Sequence, residues 1–340
     1  MIAPAARADG EAVFVEAAAR LHMGVLDLRG SLGRSFGGIG AAAPAPTLLL
    51  SATAADGVEA EGEDAARAAG FALRFLAFHG LAAGARLRVH RALPGHAGLG
   101  SGTQLALAVA RALAELHGLP TDAPSLARAV GRAQRSAVGT WVFAGGGFVV
   151  EGGRRSGSDA AGPLLSRIPF PPAWRCVIAV PDAAPGISGD AEAAAFARLP
   201  PPSERDVERV AYLVLMGLLP AVAEGELATF GAALTEVQEV TGRWWAPVQG
   251  GTFAPGPGAE LVGRMREWGA AGVGQSSWGP AVYALVEGAE AGAMLAARAR
   301  AALGGGGAVY EGPFPAAGAR VWRAPADAPA HAPADAGARG

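Results

Sequence analysis

The rhythm of apolar and polar residues changes several times along the chain, and each change marks an element. Residues 86–91 alternate polar and apolar side chains, the period of a half-buried strand. Over 63–79, Ala66, Phe71, Phe75 and Phe78 recur near helical spacing and predict an amphipathic helix. Residues 103–117 are apolar nearly all round, which predicts a helix buried on every side. Strands are predicted at 12–15 and 20–28, joined by a small turn, and at 47–51 between loops 41–46 and 53–63. Residues 124–135 read as a further helix, and 142–150 as a glycine-rich strand paired with 151–155.

Proline-rich 169–174 marks a domain boundary. Beyond it, 174–180 and 281–286 read as strands, and 203–224, 227–241, 260–271 and 289–302 as helices. Residues 308–311 and 320–323 read as edge strands. The expected organisation is one domain over 1–168 and a second over 169–323. The Ala/Pro-rich tail 324–340 has no apolar period and is expected to be disordered. Strands and helices alternate unevenly in both halves, which predicts an α+β fold.

Composition narrows the chemistry. With 340 residues, 51% hydrophobic and 17% charged, the chain can bury a substantial core. A net charge of −2 gives no global basic field for nucleic acid. All 28 basic residues are arginine. Any phosphate must therefore be held by arginine, backbone amides or a metal, and lysine Schiff-base chemistry is excluded. The single cysteine, Cys176, lies in an apolar run and reads as a core thiol, without a disulfide or a cysteine metal cage. No basic segment followed by an apolar stretch opens the chain, and its apolar runs are too short to span a bilayer. A cytoplasmic location away from membranes is the expectation.

Three segments are candidates for chemistry. In the first, the turn Gly98-Leu-Gly100-Ser101-Gly102 runs into Thr103, Gln104 and the buried helix. Ser101 and Gln104 match a capping box, with Ser101 as N-cap and Gln104 as N3. The glycines permit close approach of a ligand, and free amides at a helix start suit phosphate or diphosphate oxygens. The bland alternative is a capped helix after a flexible turn. In the second, Asp27 and Arg29 alternate with apolar neighbours, so both can project to one face, and Arg34 follows in a glycine-rich loop. The cluster reads either as a salt-bridge group or as a metal or cation site at Asp27 with a phosphate clamp at Arg34. His22, on the same run, is either structural or an acid–base group. In the third, Gln275, Ser276, Ser277 and Trp278 lie in a glycine-bounded loop that is either a turn or a ligand-facing surface. Arg132 and Arg135 read as solvated helix charges, or as cations facing an anionic site.

Taken together, these segments resemble the GHMP kinase superfamily, and within it the β-ribofuranosylaminobenzene 5′-phosphate synthase family. The matching text is 26–34 with 37–40, 98–106, 146–150 and 274–280, spread over most of the chain. The resemblance implies a two-domain fold. Its N-terminal domain would resemble domain 2 of ribosomal protein S5, with a left-handed βαβ unit, and its C-terminal domain would be ferredoxin-like. It also implies a homodimer and no organic cofactor. The implied reaction joins phosphoribosyl diphosphate to 4-aminobenzoate or 4-hydroxybenzoate, with loss of CO2 and diphosphate, in tetrahydromethanopterin biosynthesis. Diphosphate departure would be assisted by the amides at Gly100–Thr103, by Arg34 and by Mg²⁺. Asp27 would hold the metal or stabilise the cationic centre. The family pattern expects Asn at Arg29 and Gly near Ala133 and Ala137, so the segment 131–140 departs from it. An ATP-dependent kinase of the same superfamily and a non-catalytic phosphometabolite-binding protein are the alternative readings.

Overall fold

β1 (Glu11–Asp27) and β2 (Arg34–Ala55) form a long antiparallel hairpin, and β3 (Val58–Gly62) follows. The computed structural model describes residues 10–187 and 189–328. Next come α1 (Ala65–His79), β4 (Gly84–Arg91), α2 (Ser101–His117), α3 (Ala123–Ala129), α4 (Val138–Gly145), β5 (Phe148–Glu151), β6 (Arg154–Arg155) and β7 (Leu164–Ile168). β3 and β4 pair in parallel across α1, and the other pairings of this first sheet are antiparallel. The second half holds β8 (Trp174–Pro181), α5 (Gly189–Arg198), α6 (Glu204–Tyr212), a π-helical turn (Leu213–Leu218), α7 (Leu219–Glu224) and α8 (Leu227–Gln249). It continues with α9 (Pro257–Glu267), β9 (Gly272–Gln275), β10 (Val282–Glu287), α10 (Ala289–Leu303), β11 (Gly307–Pro313) and β12 (Arg320–Pro325).

The second sheet is antiparallel in the order β11-β8-β10-β9, the strand order of a ferredoxin-like unit. β12 leaves it and pairs with β1, covering an edge of the first sheet that would otherwise expose unpaired backbone groups. The last strand therefore belongs to the N-terminal sheet and reaches Pro325, into the segment expected as tail; residues 329–340 lie outside those described. One apolar core runs through both halves, from Leu21, Met23 and α2 to Trp174, Phe230 and Tyr283. Cys176 is buried in β8, and burial pushes its thiol well above the usual range.

Several local expectations are corrected. β1 is one strand rather than two, because bulges near Ala18–Arg20 and His22–Gly24 shift its register and break the alternation without ending the pairing. β2 continues through 41–46, where small buried residues imitate a loop. Residues 138–145 are helical, and β5 pairs with β2 and β7, not with β6. α3 ends at Ala129, which leaves 130–137 as a connection. The helix expected over 203–224 is interrupted by the π-helical turn. β9 occupies residues expected to form a turn, and α5 was not expected at all.

Candidate active site

α2 starts one residue earlier than its sequence suggests. Gly100, not Ser101, is the N-cap, with φ 77°, and no side chain caps the helix. A glycine takes this left-handed geometry without Cβ strain, so the capping box is not formed. Gln104 turns instead into the core, where its Nε2 donates to the Gly139 carbonyl at 3.0 Å. The first helical bonds run from the Thr103 and Gln104 amides to the Gly100 carbonyl, which leaves the Ser101 and Gly102 amides ahead of the helical ladder.

The late glycine loop holds this turn in place. Ser276 Oγ donates to the Gly98 carbonyl at 2.7 Å and accepts from the His22 amide at 2.9 Å. The Gln275 side chain is likewise committed, bonding the Ala254 amide, the Ser277 carbonyl and Gln249. The glycine turn and the late loop thus meet, and His22 of the remaining nominated segment joins them at Ser276. Gln275 and Ser276 hold the loop, while Ser277 and Trp278 line the cleft beside it.

The cleft has two connected chambers. One, of about 340 Å³, is lined by Gly98, Gly100, Ser101, Gly102, Thr103, Arg20, Arg67, Arg132 and Arg135. A Cβ placed on Gly102 would lie 2.8 Å from Nη2 of Arg67 and 3.1 Å from Nη2 of Arg132. One on Gly100 would lie 2.7 Å from Cγ of Arg20. Arg67 pairs with Asp64 at 2.9 Å, Arg135 with Glu192 at 2.5 Å, and Arg20 Nη1 donates to the Gly98 carbonyl at 2.6 Å. Arg132 stacks over Phe71, and its buried Nε has no hydrogen-bond partner. Burial, then repulsion from Arg67, Arg74 and Arg135, lowers its guanidinium to about 10. Burial also lowers Arg20 to about 10. Crowded guanidinium groups around the amides at the helix start give this chamber the chemistry that suits an anion.

The other chamber, of about 480 Å³, shares Arg20, Thr103, Arg132, Arg135, Glu192, Ser277 and Trp278 with the first. It extends away from them to a wall of Phe36, Phe196, Thr241, Trp245, Gln249 and Phe253. Trp245 and Trp278 meet edge to face at 4.4 Å, and Phe196 sits against both. The charged residues lining this chamber, among those described, are Arg20, Arg132, Arg135 and Glu192, all at the shared end. The far wall is largely aromatic, and the Arg135 guanidinium lies 5.7 Å over the Phe196 ring at its near edge.

His22 lines this chamber, with Nε2 3.2 Å from Ser136 Oγ. Burial, then the Arg20 charge, lowers its imidazole to about 3, so the ring is neutral near pH 7. Behind it Glu151 is fully buried, and burial raises its carboxyl to about 7.

Of the second nominated segment, His22, Phe36 and Gly37 line the cleft, whereas Asp27, Arg29 and Arg34 do not. Asp27 Oδ1 accepts from the Arg29 amide at 2.6 Å and the Gly30 amide at 3.0 Å, closing the β1–β2 turn. The Arg29 guanidinium bonds Ser31 and the Pro202 carbonyl, and Arg34 bonds the Gly153 carbonyl at 3.0 Å. Among the described residues no ion pair joins Asp27 to either arginine. The arginines at the glycine turn are instead Arg20, Arg67, Arg132 and Arg135. Of these, sequence reasoning had weighed only Arg132 and Arg135, and it missed Glu192 and Glu151. The absence of lysine signalled arginine; Gly131 and the family's glycine pattern near Ala133 were the local signal for Arg132.

Among the described residues no helix is long and apolar enough to cross a membrane. The profile of the GHMP kinases N terminal domain matches residues 65–145, which include the turn and α2. Homoserine kinase from Cytophaga hutchinsonii superposes with a TM-score of 0.69 at 18% identity, covering 94% of this chain and 99% of that one, which shows the GHMP kinase fold. The β-ribofuranosylphenol 5′-phosphate synthase of Methanothermobacter thermautotrophicus is 35% identical over 296 residues, 81% of this chain and 89% of the relative. That of Archaeoglobus fulgidus is 35% identical over 281 residues, 79% of this chain and 86% of the relative. With identity sustained over most of both chains and the GHMP kinase fold beneath it, the chain belongs to the β-ribofuranosylphenol 5′-phosphate synthase family of enzymes.

Proposed function

We propose that the chain is a decarboxylating phosphoribosyltransferase acting in tetrahydromethanopterin biosynthesis. It joins phosphoribosyl diphosphate to 4-hydroxybenzoate or 4-aminobenzoate and releases CO2 and diphosphate. The observation that carries the reading is the two-chamber cleft. A basic chamber at the helix start opens directly onto a larger one whose far wall is aromatic. Diphosphate oxygens fit the Ser101 and Gly102 amides and the guanidinium groups of Arg20, Arg67 and Arg132. There they stabilise negative charge as the ribose–diphosphate bond breaks. The aromatic acid packs against the cluster of Phe196, Trp245 and Trp278, which sets its ring beside ribose C1. A carboxylate turned toward Trp245, Gln249 and Phe253 points away from the arginines at the shared end. That favours loss of CO2 over tight binding of the carboxylate. The phenol in the relatives' name favours 4-hydroxybenzoate as the acceptor.

Mg²⁺ suits this arrangement, because it binds through substrate phosphates, water and one or two carboxylates. Glu192 lines both chambers, with its oxygens shared by Arg135 and Trp278 Nε1, whereas Asp27 closes the β1–β2 turn outside the cleft lining. Glu192 would hold the ion, which would supply further positive potential to the leaving diphosphate. The test is incubation with phosphoribosyl diphosphate and carboxyl-labelled 4-hydroxybenzoate or 4-aminobenzoate. Release of labelled CO2 together with diphosphate is expected. ATP consumption with an alcohol substrate and no CO2 would replace this reading with a kinase, and diphosphate binding without turnover with a binding protein.

A further inference from the structure

A continuous chain of polar groups leads from the cleft into the core, and the phosphate chemistry above does not use it. His22 and Ser136 line the aromatic chamber; Glu151, on β5, does not and is fully buried. The Glu151 carboxylate accepts the Ala137 amide at 3.2 Å, the Gly153 amide at 2.9 Å and the Ser136 hydroxyl. Ser136 Oγ also accepts the Val138 amide and lies 3.2 Å from His22 Nε2. With its one proton directed to Glu151, Ser136 can only accept from His22. The ring proton therefore sits on Nε2, and Nδ1 keeps a lone pair. A Cβ placed on Gly38 would lie 3.2 Å from Glu151 Oε1 and 3.4 Å from His22 Nε2, so the two ends of the chain share one small space.

Among the described residues no cation pairs with Glu151. Arg34 on β2, Arg154 on β6 and Arg167 on β7 bond the carbonyls of Gly153, Gln134 and Trp141, Arg155 is exposed, and α4 has no charged residue. Arg20 is the charge that faces His22. A buried carboxylate without a cation is costly and holds a proton more tightly than usual. Its carboxyl, at about 7, can accept and return a proton near neutral pH.

Resting on the phosphoribosyl-transfer reading, we propose that His22, Ser136 and Glu151 form a proton relay serving the aromatic acceptor. Ribose C1 bonds to the ring carbon that bears the carboxylate, and the bond from C1 to diphosphate breaks. As this happens, the proton of the para hydroxyl (or amino) group passes to His22 Nδ1. The Nε2 proton moves to Ser136 Oγ, and the Ser136 proton moves to Glu151. The resulting dienone (or imine) loses CO2, and the electron pair of that bond restores the aromatic ring. The proton then returns along the same path to the phenolate oxygen (or the nitrogen). The relay ends as it began, and no external acid, base or oxidant is consumed. His22 touches the acceptor, whereas Ser136 and Glu151 act through it.

The test is kcat and KM for 4-hydroxybenzoate from about pH 5.5 to 8.5 in the wild type, Glu151→Gln, Ser136→Ala and Ser136→Thr, with thermal unfolding of each. The wild type is expected to gain activity through an inflection near 7. Glu151→Gln and Ser136→Ala are each expected to lose about 10²-fold in kcat and to lose the inflection, with KM for phosphoribosyl diphosphate within about twofold. Ser136→Thr keeps the hydroxyl and is expected to recover most of the rate. Ser136→Ala leaves Glu151 its two amide bonds, so it serves if Glu151→Gln does not fold. A Ser136→Ala enzyme with the wild-type kcat and inflection would overturn the relay. Absence of CO2 from the wild type at every pH would instead overturn the phosphoribosyl-transfer reading on which the relay rests.

Discussion

The Ser276 hydroxyl donates to the Gly98 carbonyl at 2.7 Å, joining two loops 178 positions apart in the chain. Arg20 donates to the same carbonyl, so the phosphate turn is shaped from outside itself. Ser276→Ala removes the bond to Gly98 and the one accepted from the buried His22 amide, and is expected to cost about 2–3 kcal/mol of stability. It is also expected to raise KM for phosphoribosyl diphosphate more than KM for the aromatic acid. Thermal unfolding and steady-state kinetics measure both. Gly98→Ala is expected to be worse, because φ is +80° and the new Cβ would meet the Ser276 carbonyl oxygen at 2.3 Å.

Arg132 carries the charge that an anion relieves most. Arg132→Gln is expected to raise KM for phosphoribosyl diphosphate about tenfold or more, the scale of one lost charge-assisted contact. Without ligand the variant should unfold at or above the wild-type temperature, because Arg67, Arg74 and Arg135 repel the native guanidinium. Inorganic diphosphate should raise the wild-type midpoint, with roughly 2.7 kcal/mol of stabilisation at a hundred times its Kd, and raise the variant's much less. Equal shifts in the two proteins would remove Arg132 from the anion site.

Trp245→Ala opens the aromatic wall of the larger chamber and removes the edge-to-face contact with Trp278. The expected effect is a rise of about tenfold in KM for 4-hydroxybenzoate, with KM for phosphoribosyl diphosphate nearly unchanged. The reverse pattern would place the ring elsewhere.

Stability should depend on pH through two buried groups of opposite sign. Glu151 rises from 4.5 to about 7 on folding, so its contribution is fully present below pH 4.5 and is lost as pH rises through 7. At about 1.4 kcal/mol per pH unit this amounts to roughly 3 kcal/mol. His22 falls from 6.5 to about 3, so its contribution is present above 6.5 and is lost as pH falls toward 3. The two slopes oppose each other between 4.5 and 6.5. Urea unfolding should find the Glu151→Gln variant gaining stability with rising pH in that window more steeply than the wild type.

Ala133 adopts φ 61°, a left-handed geometry that costs a residue with a Cβ about 1–2 kcal/mol. It stands where the family pattern expects glycine nearby. Ala133→Gly relieves the strain but adds freedom to the unfolded chain, so a net gain of about 0.5–1 kcal/mol is expected in chemical denaturation.

Contiguous features were legible. The buried helix after Gly98–Gly102, the helix over α1, and strands β4, β8 and β10 all follow from short-range periodicity. Family membership was legible as well, because its motifs are unbroken strings. What escaped had no local signature. The bulges in β1 disguise one strand as two, and the small residues of β2 read as a loop. α5 has a weak apolar face, yet it brings Glu192 and Phe196 to the cleft.

The sequence by itself determined which groups were available to hold an anion. Without lysine, phosphate had to meet arginine and backbone amides, and the glycine turn supplied the amides. Which arginines answer was decided by the tertiary structure. Arg20 comes from a bulged strand, Arg67 from α1, and Arg132 and Arg135 from a connection between helices. Asp27, Arg29 and Arg34 are neighbours in sequence, yet backbone hydrogen bonds commit them to turns beside the cleft. Electrostatic potential sums over distance in space, and one strand's sequence does not specify what packs against its face. The turn was therefore visible in the string, and the charge around it only in the fold.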